Sequence, residues 1–230
     1  MKKLLIFCFG ITLGAFIAVN VLGLMTGEFI YRELTYPHLY QNLFNLQDNS
    51  KNIEKIAIAE KKYEWEKVRL PSPHGYTIRG TYIPANQPSN QTILFLHGLF
   101  QNRSSGLDYL GIYQEMGYNV LIVDARGHGD SGGDSISWGY FEKDDINVWL
   151  DWLQQKIPQG TIGIHGISMG AATALLHSEL NENTHQVSFY IADSSYDDFK
   201  ELLIKQLTIL AALPENSKVP DILLYIIYLG

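Results

Sequence analysis

The chain has 230 residues, enough for one sizeable domain, and the composition of an ordinary globular protein. Its formal net charge of −7 excludes nucleic acid as a partner, because phosphate binding needs a basic face. One cysteine and scattered histidines give no metal-ligand spacing, and no phosphate-binding loop is present, so neither a metal nor a cofactor is expected.

Lys2 and Lys3 precede an uncharged run, residues 4–24, that is apolar apart from Thr12 and Asn20. That is about the ~20 residues needed to span a bilayer. A cleaved signal peptide is the competing reading. Its apolar core is usually shorter, roughly 7–15 residues, and ends in a small-residue site, of which Val21-Leu22-Gly23 is a poor version. The expectation is an uncleaved signal anchor over 1–27. Cys8 reads as a small apolar residue within it, since Leu5-Ile6-Phe7 does not form a lipid-attachment box. The two lysines leave the N-terminus in the cytoplasm and the rest outside, by the positive-inside rule. This predicts a single-pass protein of the cell membrane with an extracytoplasmic domain.

Residues 28–62 read as a helical juxtamembrane linker. Its aromatics Phe29, Tyr31, Tyr36 and Tyr40 suit either the membrane interface or a helix face packed on the domain. From 63 to 230 the pattern is that of one α/β domain. Residues 63–70 and 76–83 are strand-like runs around Pro71-Ser72-Pro73-His74-Gly75, which reads as a hairpin turn. Apolar strands at 91–96, 119–123, 161–164 and 187–191 then alternate with helices at 104–116, 144–155, 169–180 and 197–207. Such alternation means a parallel sheet covered on both faces, with ligands at the carboxyl ends of its strands.

The residues at those ends carry the chemistry. Gly166-Ile167-Ser168-Met169-Gly170 reads Gly-x-Ser-x-Gly between a strand and a helix, the context that a nucleophile elbow needs. The glycines allow a sharp turn with strained backbone angles and close neighbours. Ser168 is the expected nucleophile. The N–H of Met169 is one expected oxyanion donor, and the N–H of Leu99, in the loop after the strand at 91–96, is the other.

Four motifs in order resemble the α/β-hydrolase superfamily, in its bacterial serine-aminopeptidase-like and esterase-like branch. They are the hairpin, Leu96-His97-Gly98, the run from Asp124 to Gly132 that reads DARGHGDSG, and the serine elbow. The resemblance covers roughly residues 63–205. It implies a mostly parallel sheet flanked by helices, and ester, amide or thioester substrates taken through an acyl-enzyme on Ser168. A small-molecule, lipid or peptide acyl substrate is the expected partner.

In this superfamily the triad acid follows the next-to-last strand and the histidine follows the last. Only 62 residues follow Ser168, and the expectation is a sheet lacking its last strands, with acid and histidine beyond Gly230. The apolar stretch 221–230, which ends without a cap, and the apolar edge left at 187–191 point the same way. The histidines present fit the base poorly. His177 is carried about 13 Å down the helix that begins at Ser168. His185 belongs at the opposite edge of the sheet. His165 reads as buried structure, His97 as part of the oxyanion loop, and His128 as a brace within an Arg-Gly turn. Asp193 sits at a strand end, as a displaced acid or as a helix cap. Two alternatives stand beside a shortened enzyme: a degenerate, non-catalytic member that binds or scaffolds, and an enzyme completed by another chain.

Overall fold

The computed structural model describes residues 2–36, 47, 49, 51–198, 201, 202 and 205. The chain divides into two units. One holds helix α1, Lys2–Thr35, which contains a segment, Phe9–Glu33, long and apolar enough to cross a membrane. Its side chains, Phe16, Val19 and Leu22 among them, are exposed. The helix runs through the expected boundary at residue 27.

The other unit, Leu46–Asp197, holds the sheet. It starts with helix α2, Glu54–Tyr63, and the hairpin β1, Glu66–Pro71, and β2, Thr77–Ile83. Tyr63 therefore closes a helix rather than opening a strand. The helix stops because Glu64 takes a left-handed conformation (φ 53°) and returns its N–H to Glu60 O. The expected turn forms between the strands: Ser72 N–H donates to Tyr76 O, and Gly75 takes φ 83°.

The alternation follows: β3 Gln91–Leu96, α3 Leu107–Glu115, β4 Asn119–Asp124, α4 Glu142–Lys156, β5 Thr161–Ile167, α5 Met169–Thr184 and β6 Phe189–Asp193. The six strands form one sheet in the order β1-β2-β4-β3-β5-β6. β1 and β2 are antiparallel to each other, and β2 is antiparallel to β4; β4, β3, β5 and β6 run parallel. This is the predicted mixed, mostly parallel sheet.

Other boundaries shift by one to four residues, three of them for a visible local reason. The expected helix at 104–116 begins with a 3₁₀ turn, Arg103–Gly106, because the Asn102 side chain accepts from Ser104 N–H and Gly106 packs hard against Phe95 and Ile122. β5 runs on to Ile167, paired through Gly166 and Ile167 with Ala192 and Asp193. β6 lies two residues later than expected, because Val187 turns into the core and its carbonyl accepts from the Asn181 side chain. The expected helix at 197–207 and Tyr40 lie largely or wholly outside the described residues.

Alternate residues of the central strands feed two cores. Leu94, Leu96, Leu121 and Val123 face Trp149, Leu150 and Leu153 of α4. Ile93, Phe95, Val120 and Ile122 face Ile56 of α2 and Tyr113 of α3. With both faces buried, the strands read as continuous apolar runs. The register sets Leu96 beside Gly166 and Val123, so the carboxyl ends of β3, β4 and β5 open on the same edge.

Candidate active site

The turn from β5 to α5 is the most constrained backbone in this region. Ser168 takes φ 51°, ψ −114°, and is exposed. A non-glycine residue there costs of order 1–3 kcal/mol and persists only when its surroundings hold it. They do so closely. A Cβ on Gly166 would come to 2.2 Å from Gly170 O, and one on Gly170 to 2.3 Å from Leu96 O. Only glycine lets the first turn of α5 pass so near β5 and the end of β3. Ser168 N–H donates to Asp193 O at 2.8 Å, and Ser168 O accepts from Ala172 N–H at 3.0 Å. The backbone is thus fixed from both sides, and the exposed serine stands at the positive end of α5.

The loop after β3 lies against this serine. A Cβ on Gly98 would stand 3.4 Å from Ser168 Cβ. Leu99 follows directly, half-buried, and Phe100 takes φ 59°. Met169 is the first residue of α5, so its N–H belongs to the first turn, which has no acceptors within the helix. Ser168, Met169 and Leu99, inferred separately from sequence, are therefore neighbours.

The loop has supports that sequence reading missed. Gln101 Oε1 accepts from Gly98 N–H at 3.1 Å. Asp124, 1% exposed, accepts from Arg103 N–H and from the Arg103 guanidinium. The same guanidinium reaches Glu60 at 3.3 Å and Asp130 at 3.0 Å. Burial works against its charge, but Asp124, Asp130 and Glu60 outweigh that and raise its pKa. The DARGHGD run stands out in the sequence as a motif; the buried cation that Asp124 holds, Arg103, lies 21 residues upstream and carries no sequence signal of its own.

The histidines fall where expected. His97 Nε2 accepts from Ala125 N–H, which fixes Nδ1–H as donor to Gly98 O. Burial, with His128 adding to it, pushes its pKa down to about 3. His128 bonds Arg126 O, and its ring lies tilted against that of His97 with centroids 5.0 Å apart; burial lowers its pKa too. His165 meets the Tyr113 hydroxyl at 2.7 Å among aromatic rings. His177 is wholly buried between the Tyr190 hydroxyl and Asn147 Oδ1, and burial lowers it to about 4. His185 is the exposed cap at the far end of α5. His74, in the hairpin turn, pairs with Asp144 at 2.9 Å. Asp193 supplies the elbow with its carbonyl, while its carboxylate accepts from the Ser194 hydroxyl. Behind the elbow a cavity of about 30 Å³, lined by His97, Asp124, Glu142, Trp149, Met169 and Thr173, has room for water and not for an acyl chain.

Sheet order, elbow and loop now stand together, and the family described as alpha/beta hydrolase fold matches residues 91–218. The chain belongs to the α/β-hydrolase family. Within this family it resembles the esterase Pf2001 of Pyrococcus furiosus in structure, with 26% identity and a TM-score of 0.58 over 67% of this chain and 62% of that one. In sequence it is 40% identical to the uncharacterized protein YqkD of Bacillus subtilis, over 66% of this chain and 49% of YqkD. The chain thus spans about half the length of that relative. The lysophosphatidylserine lipase ABHD12 of Danio rerio is 30% identical over 40% of this chain and 24% of its own length. This hydrolase-fold chain contributes, among its described residues, the serine turn and the loop beside it.

Proposed function

We propose that the chain is the nucleophile-bearing part of a membrane-anchored serine hydrolase that cleaves esters, amides or thioesters. Ser168 attacks the acyl carbonyl, and the N–H groups of Leu99 and Met169 stabilise the oxyanion. The observation that carries this reading is the exposed Ser168 hydroxyl, held at positive φ at the head of α5 with the Gly98–Leu99 backbone against it. Preorganised donors of this kind are each worth roughly 10²–10³ in rate. The base and acid come from residues outside those described: His74, His97, His128, His165 and His177 are hydrogen-bonded elsewhere, and His185 caps the far end of α5. The esterase and lipase neighbours support acyl substrates, lipids included. The segment Phe9–Glu33 serves as the anchor, with the N-terminus in the cytoplasm and the sheet outside.

One observation favours a second reading, a non-catalytic member of the family. The ring nitrogens of His97 and His177 are all hydrogen-bonded within the fold, so neither is available as a base. A fluorophosphonate probe separates the two. It is applied to the 230-residue chain alone and to the chain co-expressed with the unmatched remainder of YqkD. Labelling at Ser168 in either, abolished by S168A, is the expected result. Absence of labelling in both favours the non-catalytic reading.

A further inference from the structure

The segment that enters the sheet unit ahead of β1 touches the loop beside Ser168 directly. Asn49 N–H donates to Phe100 O at 2.9 Å. The Asn102 side chain, 2% exposed, donates through Nδ2 to Asn49 O at 2.7 Å and to Asn52 O at 2.8 Å. Three residues later in space, at the start of the 3₁₀ turn, Arg103 meets Glu60 of α2. The loop at 97–102 is therefore gripped by residues 49–60, about fifty positions earlier in the chain.

We propose that Asn49 and Asn52 form a strap that positions the oxyanion loop, with Asn102 as the positioning residue that locks it. This rests on the assignment of Leu99 as an oxyanion donor. The physical case lies in Phe100. It sits at φ 59°, a conformation that a bulky residue keeps only when its surroundings hold it. Its carbonyl is held by the Asn49 N–H, and Asn49 is held in turn by Asn102. Released from the strap, Phe100 relaxes to negative φ and the adjoining Leu99 N–H swings away from Ser168. A misplacement of about 1 Å in such a donor costs up to ~10² in rate. In chain order the strap lies between the apolar helix and the sheet.

Asn102 also caps the 3₁₀ turn, its Oδ1 accepting from Ser104 N–H at 2.9 Å, and the test must separate the two roles. Asn102→Asp does so. Aspartate caps as well as asparagine, but it cannot donate to Asn49 O or Asn52 O. The measurement is hydrogen–deuterium exchange of the full chain in detergent micelles, for wild type, N102D, N102A and N49P. In N102D the amides at 98–101 are expected to exchange about ten-fold faster, as in N102A, with β4 unchanged. N49P removes the donor to Phe100 O while leaving the Asn49 carbonyl that accepts from Asn102, and is expected to raise the same exchange less. A wild-type loop in N102D beside a loosened loop in N102A makes Asn102 a cap and overturns the strap. Should both Asn102 variants fail to fold, an unchanged loop in N49P overturns it. In any form that labels at Ser168, N102D is expected to lower the maximal rate of fluorophosphonate inactivation about ten-fold with the half-saturating concentration unchanged. Labelling elsewhere than Ser168 would sink the hydrolase reading and leave the exchange result standing.

Discussion

The two halves of the strand-end surface are built differently. On the β3–β4 side every strand residue after Gln91 is buried, and the polar groups that follow are paired: His97, Asn102, Arg103 and Asp124 all have partners. On the β6 side the burial falls off along the strand, Ile191 is 39% exposed, and Asp193 and Ser194 lie in the open. Leu175 and Leu176 of α5 are exposed as well. Ser168, Met169 and Leu99 thus lie beside the well-buried half, and β6 presents apolar surface of the kind that natural sheets keep covered. The contrast explains how one chain can hold Ser168 in a strained conformation while none of its described histidines reaches it.

The sharpest way to break this contrast is to remove equivalent charges from the two sides. Asp124 and Asp193 are both the last residue of a parallel strand. Asp124→Asn leaves the Arg103 guanidinium without its closest partner inside the fold, and breaking a buried pair costs about 3–5 kcal/mol. Asp193→Asn keeps an oxygen that accepts from the exposed Ser194 hydroxyl and is expected to stay within about 0.5 kcal/mol of wild type. Chemical denaturation of the full chain in detergent measures both. Equal losses would mean that the two strand ends are not built differently.

The same contrast divides what the sequence disclosed from what it concealed. Continuous apolar runs at β3, β4 and β5 announced a doubly covered parallel sheet, and Gly-x-Ser-x-Gly announced the turn, because both signals are local in the chain. β6 was placed two residues early, since its register is set by pairing with β5 rather than by its own composition. The supports of the donor loop were invisible for another reason. Asn102 meets Asn49 across 53 residues and Arg103 meets Asp124 across 21, and polar residues in loops carry no periodicity that would pair them. Ser168, Met169 and Leu99 could be named; what holds Leu99 could not.

Acidity probes the buried side more gently. His177 is neutral in the fold, with a pKa pushed down by burial to about 4, whereas an unfolded histidine titrates near 6.5. Below ~6.5 the unfolded chain takes up a proton that the folded one refuses. The stabilising contribution is therefore complete above pH ~6.5 and is lost as pH falls toward 4, at about 1.4 kcal/mol per pH unit. Over pH 7 to 5 this is about 2 kcal/mol. His177→Gln can still bond Tyr190 and Asn147 but does not titrate, so its stability should fall less steeply across that window. Parallel stability–pH curves for the two proteins would contradict a neutral His177.

The smallest effect is expected at the serine itself, and its sign is the informative part. Ser168 makes no packing contribution that burial would register, since its side chain is exposed, yet its backbone stands at φ 51°, ψ −114°. Glycine adopts that region without a Cβ penalty. Ser168→Gly removes the hydroxyl and the strain together, so the variant should be more stable than wild type by about 1 kcal/mol, against a small entropic cost from the unfolded chain. Ser168→Ala keeps the Cβ and the strain and should be neutral within about 0.5 kcal/mol. A gain with glycine and none with alanine would show that the surrounding fold holds this residue against its conformational preference, as the proposed role of Ser168 requires. A loss with glycine would mean that the elbow is relaxed, and the strain argument for Ser168 would fall with it.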